Sequence, residues 1–359
     1  MHVVTGAGGF IGSHLVDALL DRDLPVAACV LPEGDLRWLD GKPVEIRRID
    51  VTDPPSLGPA LRDAEVVYHL AGATRTASDE TFFDVNCVGT VNVARAARLH
   101  ASGLRRFLFV SSTSAIGPTR NGRPVCEEDD PRPVSAYGRS KALAEERLRE
   151  MRDLPWLIVR PAAVYGPRDL SFLTLFRLGH QRIFPYVGRG YRKTSFAHVD
   201  DIVAGILLAV ERGTPHRAYH LTGEADDYHG VFRALCDALG HAIVPVPLPA
   251  SIVWAVGELM ELRYRLTGIN NVINRRKAME MLQPGWTASC ERAIAEIGFR
   301  ARYTVGRGFS DTASWYHDQG WLSDPYRALL GLWPSQWCAI GSGTPSESHP
   351  ARPSSTGMP

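Results

Sequence analysis

Short apolar runs alternate along the chain with longer amphipathic stretches. "HVVT" (2–5), "PVAACVL" (25–31), "VEIRRI" (44–49), "AEVVYHLAG" (64–72), "RRFLFVSST" (105–113) and "PWLIVRPAAVYG" (155–166) are rich in β-branched or aromatic residues and are bounded by Gly, Pro or charge. They predict six strands. "SHLVDALLDR" (13–22), "TFFDVNCVGTVNVARAARLHA" (81–101) and "AYGRSKALAEERLREM" (136–151) have helical period, and the last is rich in the helix formers Ala, Leu and Glu. Strands alternating with helices predict parallel βαβ units in a doubly wound sheet, an α/β architecture.

The pattern loosens beyond residue 167. "HVDDIVAGILLAVE" (198–211) predicts another helix, "AYHLTG" (218–223) a short strand, and the remainder is mainly helical. This predicts a core of residues 1–166 plus about 197–223, and a smaller, mainly helical cap of 167–196 plus 224–322. The cap is expected over the carboxyl ends of the strands, where open α/β sheets bind ligands. Residues 323–359 form a C-terminal extension, Ser/Pro/Gly-rich from about 341 and predicted disordered there.

Composition narrows the classes. The 359 residues are 45% hydrophobic, enough for a sizeable core, and the formal net charge of +1 makes no case for nucleic acid or for an acidic membrane surface. None of the six cysteines stands in a C-x-x-C pair. The reading is therefore no metal, no disulfide framework and reduced thiols in a cytoplasmic protein. The N-terminus lacks the basic-then-apolar pattern of a secretory signal. No apolar run reaches the roughly 18–20 residues of a spanning helix. The longest, "PLPASIVWAVGELMEL" (247–262), carries Glu258 and Glu261; a place on a membrane surface or along an apolar pocket is open to it. Of 40 basic residues only Lys42, Lys141, Lys193 and Lys277 are lysines.

Two motifs carry chemistry. "GAGGFIG" (6–12) spaces Gly6, Gly9 and Gly12 as G-x-x-G-x-x-G after a strand and before a helix, the context of a dinucleotide site. Gly6 permits the tight turn, Gly9 the approach of a pyrophosphate to the helix N-terminus, and Gly12 close packing of helix on strand. "YGRSK" (137–141) puts Tyr137 and Lys141 on one helix face, about 5–6 Å apart at Cβ. That spacing alone fits a catalytic pair or two ordinary surface residues.

With these motifs stand "DVTDPPSL" (50–57), "HLAG" (69–72), "VNCVGT" (85–90), "VSSTS" (110–114), "RPAAVYGP" (160–167) and "FAHVDDI" (196–202). In this order and spacing the chain, over roughly residues 1–322, resembles an extended short-chain dehydrogenase/reductase of the NAD-dependent epimerase/dehydratase family. The resemblance implies a Rossmann-type domain and makes Tyr137 the general acid/base at a substrate oxygen. Free tyrosine titrates near 10, and the Lys141 ammonium is expected to bring it down and to hold the nicotinamide ribose. Thr113 matches the family's Ser/Thr that bonds the same oxygen, with Ser112 as the alternative; at least two of Ser111, Ser112 and Ser114 are read as plain strand-end hydroxyls. Implied cofactor contacts are Gly6, Gly9, Phe10, Ile11 and Gly12 at the turn and Asp50 and Val51 at the adenine. Leu70, Ala71 and Gly72 would run along the backbone path, with Asn86, Tyr137 and Lys141 beside them and Pro161 and Val164 at the nicotinamide. Asn86 also fits a role in holding backbone, and Asp53 a helix N-cap. His198, Asp200 and Asp201 are read as structural.

Departures from the family pattern bear on cofactor and substrate. After the second strand, Val30 and Leu31 stand where an acid would signal NAD and an arginine NADP, with Glu33, Asp35 and Arg37 close by. The missing arginine favours NAD over NADP. Ala163 replaces the asparagine that serves the diphosphate in nucleotide-sugar members, and Thr194 and Ser195 replace an Arg-Asp pair; Arg189, Arg192 and Lys193 are near enough to substitute. "SFLTLFRLG" (171–179), "FPYVG" (184–188) and "SIVWAVGELMEL" (251–262) fit the walls of an apolar pocket or ordinary cap core. The composite resembles the 3β-hydroxysteroid dehydrogenase and dihydroflavonol reductase branch. It implies an NAD(P)-dependent oxidoreductase for a secondary alcohol or ketone on a bulky apolar small molecule, sterol-like or long-chain. The rivals are a nucleotide-sugar 4-epimerase or dehydratase with retained NAD, and a cofactor-binding sensor without chemistry. A homodimer through the helices of 81–101 and 136–151 is expected by analogy, and peripheral membrane contact stays open.

Overall fold

The computed structural model describes residues 1–76, 78–188, 191–267 and 275–322. The predicted disorder from about 341 and the substitute cation Arg189 lie outside the described residues. Strands and helices are numbered in chain order.

Seven strands form one parallel sheet. They are β1 (His2–Thr5), β2 (Val26–Val30), β3 (Glu45–Arg48), β4 (Val66–His69), β5 (Arg106–Val110), β6 (Trp156–Pro161) and β10 (Arg217–Leu221), in the order β10-β6-β5-β4-β1-β2-β3. All six predicted strands and the later short one are present. The order reverses between β1 and β4, which opens a crevice at their carboxyl ends.

Both faces of the sheet are buried except at the edge strand β3, so the inner strands read as continuous apolar runs. On one face Val4, Ala28, Tyr68, Leu108 and Val159 pack with α1 (Phe10–Leu20) and α7 (Val199–Arg212). On the other, Val3, Ala27, Val67, Phe107 and Ile158 meet α2 (Pro54–Leu61), α4 (Gly89–His100) and α5 (Ala136–Glu150). Successive residues of one strand serve opposite faces, and each fully buried Val, Leu or Phe contributes about 1.5–3 kcal/mol. Helix α2, "PPSLGPAL", escapes sequence reading because prolines crowd it. Pro54 and Pro55 stand in the first turn, where a missing N–H costs nothing.

The predicted long helix over 81–101 is in three parts. α3 (Asp79–Phe83) passes through one π-helical turn, Asp84–Val88, into α4. A π turn adds one residue per bond loop, which apolar periodicity does not register, and such turns concentrate at functional sites. Here it directs Asn86 into the interior, where it is fully buried.

The cap contains more strand than expected. β7 (Ala163–Tyr165), β9 (Thr194–His198) and β11 (Ala225–Asp226) form a small sheet, and β8 (Ile183–Val187) pairs with β12 (Val244–Leu248). Pro185, Pro245 and Pro247 hide the second pair from a sequence reading. The boundaries expected at 166/167, 196/197 and 223/224 all fall in or beside the β7-β9-β11 sheet, so the segments expected to form core and cap are joined by a hydrogen-bonded seam. His198 caps α7, accepting from the Asp200 N–H at 3.3 Å, and stacks on Tyr303 at 3.9 Å. Buried Asp201 accepts the Arg302 and Tyr303 N–H groups. The remaining helices are α6 (Leu173–His180), α8 (Tyr228–Leu239), α9 (Ala250–Thr267), α10 (Arg275–Met281), α11 (Glu291–Ile297) and α12 (Val305–Asp318).

The glycine turn fits without slack. A Cβ on Gly12 would lie 2.2 Å from the Gly6 carbonyl oxygen. Gly12→Ala is therefore expected to lower stability by about 1–3 kcal/mol, read as a fall in the urea midpoint.

Candidate active site

Gly6 turns the chain with φ +70°, and a Cβ there would meet the Ala71 nitrogen at 2.8 Å. The exits of β1 and β4 thus touch at the crevice. Gly9 is exposed and no side chain caps α1. The first-turn N–H groups of Phe10, Ile11 and Gly12 therefore lack intrahelical partners and, with the helix dipole, suit an anion. The Phe10 ring meets the edge of His14 at 5.9 Å and Ile11 packs on the core, so both offer backbone to the crevice.

A directed chain of hydrogen bonds sets the β4 exit. The Leu70 N–H donates to the Thr5 carbonyl at 3.1 Å, and the Ala71 N–H to Thr5 Oγ1 at 3.2 Å. Thr5 Oγ1 lies 2.8 Å from His69 Nδ1, His69 Nε2 lies 2.9 Å from Thr90 Oγ1, and Thr90 Oγ1 donates to the Asn86 carbonyl at 2.7 Å. Since the Thr90 hydroxyl is a donor to Asn86, His69 carries its proton on Nε2 and accepts at Nδ1. Burial, aided by the nearby Lys141 charge, pushes His69 down to about 3, so the ring is neutral.

Asn86 grips the next stretch. Its Oδ1 accepts from the Ala73 N–H at 2.7 Å, and its Nδ2 donates to the Ala73 carbonyl at 3.0 Å and to Ser140 Oγ at 3.1 Å. The amide is thus spent on backbone and on α5. Gly72 fits between: a Cβ there would start 2.9 Å from Asn86 Oδ1 and 3.2 Å from Lys141 Nζ.

Lys141 is buried, donates to the Val110 carbonyl at 3.0 Å and lies 4.6 Å from the centre of the Phe109 ring. Burial pushes it from the usual 10.5 to about 8, against an opposing pull from Glu145. Tyr137 lies edge-on to Phe82 at 5.9 Å. Burial pushes its phenol up to about 12; a hydrogen bond with Ser112 pulls it down and the Glu280 carboxylate of α10 adds to the rise. The expected lowering of Tyr137 by Lys141 is absent in this state, because the ammonium is turned to the Val110 carbonyl and the Phe109 ring. The hydroxyl that meets Tyr137 is that of Ser112, the alternative to Thr113. Ser112 also accepts from the Ser114 N–H at 3.1 Å and so caps the 3₁₀ turn Thr113–Ala115.

The other sequence candidates line the crevice differently. Asp50 Oδ1 accepts from the Thr52 N–H at 2.8 Å and hydroxyl at 2.7 Å, so its carboxylate is engaged in a local turn. Asp53 stands at the N-cap of α2 without a side-chain bond. Val51 is buried against Gly89, and its carbonyl accepts from Asn92 at 3.1 Å. Pro161 ends β6, and Val164 packs on the core in β7.

Sequence reading missed the support beneath Lys141. One turn on, Glu145 accepts two bonds from Arg160, at 2.9 Å from Nε and 2.5 Å from Nη2, with both side chains 1% exposed. Arg160 Nη1 lies 3.2 Å from His220 Nε2, and the His220 N–H donates to Glu127 at 2.8 Å. The available signal was charge inside apolar context: Arg160 interrupts "WLIVRP" and Glu145 follows Lys141 at four residues.

The profile of the NAD dependent epimerase/dehydratase family matches residues 2–221. Sterol demethylase protein B of Methylococcus capsulatus is 30% identical over 331 residues, covering 89% of this chain and 99% of its own. Ceramide reductase of Caulobacter vibrioides is 31% identical over 323 residues, covering 89% and 95%. Among solved structures, UDP-glucuronic acid 4-epimerase from Bacillus cereus in complex with NAD superposes with a TM-score of 0.71 at 22% identity, covering 89% of this chain and 99% of that one.

Two measurements check this chemistry. With ¹³Cε-labelled lysine, one of the four lysine resonances is expected to titrate near pH 8 and to vanish in Lys141→Met. Because that pKa is depressed, the folded chain binds fewer protons than the unfolded one between about 8 and 10.5, and the Lys141 contribution to stability rises with pH across that window. Four unshifted titrations would contradict the buried ammonium. Arg160→Met should cost about 3–5 kcal/mol in urea unfolding, and adding Glu145→Leu should return part of it, because an unpaired buried carboxylate is worse than none.

Proposed function

Since the chain belongs to the NAD dependent epimerase/dehydratase family of extended short-chain dehydrogenases/reductases, we propose that it is an NAD(P)-dependent oxidoreductase. Its reaction interconverts a secondary alcohol and a ketone on a bulky apolar substrate. The observation that carries the substrate class is the pair of relatives named for sterol and ceramide, each matching 89% of this chain. Ala163 agrees with it, as does Arg192, whose Nη1 is spent on the Met281 carbonyl at 2.8 Å.

The crevice suits a nicotinamide dinucleotide. The uncapped start of α1 and the exposed Gly9 fit its pyrophosphate. Gly6, Phe10, Ile11 and Gly12 would complete that cradle, Asp50 and Val51 would flank the adenine, and Leu70, Ala71 and Gly72 would pass along it. Asn86 would hold that run in place, Lys141 would meet the ribose, and Pro161 and Val164 would border the nicotinamide. When bound, the cofactor supplies hydride exchange with the substrate carbon. Arg37 is paired with Asp35, and Arg48 donates to the Leu31 and Gly34 carbonyls at 2.9 and 3.0 Å. Cations near the end of β2 are thus engaged, which supports NAD over NADP.

The proton belongs to Tyr137. Its raised phenol is protonated at neutral pH and gives its proton to the substrate oxygen in reduction. Ser112, which acts on that phenol, and Thr113 next to it would orient the same oxygen. Lys141 is an ammonium below about pH 8, and it would favour the tyrosinate left after proton transfer once it turns from the Val110 carbonyl toward the bound cofactor's ribose.

Tyr137→Phe should cut turnover of a 3-oxo sterol or long-chain 3-oxo lipid by about 10²–10⁴-fold while cofactor binding stays near wild type. Retention of most of the rate would remove Tyr137 from this role. Cofactor released on denaturing the purified protein separates the readings. Little retained cofactor, with free exchange, fits the oxidoreductase; about one retained NAD per chain points to a nucleotide-sugar epimerase.

A further inference from the structure

The segment 166–172 leaves β7 and leads into α6, and its first half is fastened to α1. The Pro167 carbonyl accepts from His14 Nε2 at 2.9 Å. Arg168 Nη2 donates to Asp17 Oδ2 at 2.8 Å, and the same guanidinium lies 5.0 Å from the centre of the Trp38 ring. Asp169 is buried. Its carboxylate accepts from the Ser171 and Phe172 N–H groups at 2.8 and 2.7 Å, and its carbonyl accepts from the Tyr316 hydroxyl at 2.6 Å. These bonds tie the segment to α1, to α12 and to the loop after β2. A buried polar group satisfied in this way holds its surroundings rigid, so Ser171 stands at a fixed place.

The second half of the segment meets the opposite wall of the crevice. Arg75 lies in the chain that follows β4, two residues beyond Ala73, which Asn86 grips. Its Nη2 donates to Ser171 Oγ at 3.0 Å and lies 3.5 Å from the Leu170 carbonyl. The start of α1 and the β4 exit are the two walls, and Gly6 against Ala71 is the floor. A segment fastened to α1 at 167–168 and reached by Arg75 at 170–171 therefore spans the gap between the walls. Its two ends differ in strength. The α1 end has an ion pair, a cation over an aromatic ring and a buried carboxylate beside it. The other end hangs on one arginine, and Arg75 and Ser171 are both exposed. Water competes for such a bond, so it opens and recloses easily. The guanidinium faces the buried acid as well: burial pushes the Asp169 carboxyl up to about 6, and the Arg75 charge is among the influences that pull it back.

We infer that Arg75 is a latch over the crevice, bonded to Ser171 when the crevice is closed and released from it when a dinucleotide enters or leaves. The inference rests on the dinucleotide reading proposed above. The segment 167–171 is fixed, so the part with freedom to move is the long Arg75 side chain, held by one hydroxyl and one carbonyl. A latch of this kind delays passage in both directions. A cation that merely attracts phosphate speeds entry and slows exit.

The test is stopped-flow fluorescence of NADH, or of NADPH where that form binds, with full-length wild type, Arg75→Ala and Ser171→Ala. Both positions are exposed, so both variants should melt as the wild type does. Loss of the latch should raise the dissociation rate about three- to tenfold in each variant. Ser171→Ala keeps the Arg75 charge and should associate at least as fast as the wild type, because opening a latch does not slow entry. Unchanged dissociation from Ser171→Ala would overturn the latch. So would faster dissociation confined to Arg75→Ala with slower association, the pattern of a plain charge contact. A wild type that binds neither nucleotide would overturn the dinucleotide reading, and the latch with it. Binding with unaltered rates overturns the latch alone, so the two failures are distinct.

Discussion

Arg160 and Glu145 meet inside the protein with both side chains 1% exposed, and the geometry of the crevice rests on that pair. Charges this far from water are tolerated only when partnered and fully hydrogen-bonded. Glu145 accepts from Arg160 twice and from Arg149 at 2.9 Å, and Arg160 reaches on to His220. His220 Nδ1 lies 3.2 Å from the Ser289 carbonyl. The network therefore joins α5, β6, β10 and the segment before α11. Any shift of α5 along the sheet would strand a buried charge. Tyr137 and Lys141, on the first turns of that helix, inherit its fixed position.

The second constraint is the contact between the β1 and β4 exits. Gly6 and Ala71 approach so closely that no side chain fits at Gly6, and the Thr5–His69–Thr90–Asn86 chain keeps the two exits in register. His69 is held neutral by burial, and in that state every proton of the chain has an acceptor. One polar chain thus runs from the strand under the glycine turn to the π turn that carries Asn86. The backbone proposed to follow the cofactor is held at both ends.

Core and cap meet through the β7-β9-β11 sheet and through the His198–Tyr303 and Asp201 contacts. That seam sets where α10 stands, and with it the Glu280 charge that acts on the tyrosine. α10 therefore contributes to the electrostatics at Tyr137.

The apolar runs and the glycine spacing by themselves determined the parallel sheet and the turn at the β1 exit, because burial on two faces and a left-handed turn are local patterns; the family resemblance rested on the whole ordered set of motifs from the glycine turn to "FAHVDDI". Asp50 in its own turn was not legible, and the choices of backbone for Asn86 and of Ser112 over Thr113 beside Tyr137 were left open by the sequence. Neighbouring serines and a threonine are equivalent until the strand end is placed against α5, and a π turn leaves no mark on periodicity. The direction of the Lys141 ammonium, the Arg160–Glu145–His220 network and the Arg75–Ser171 contact were decided only by tertiary structure. Each depends on which distant groups, 15, 60 or more residues away in sequence, share one low-dielectric space or meet across the crevice.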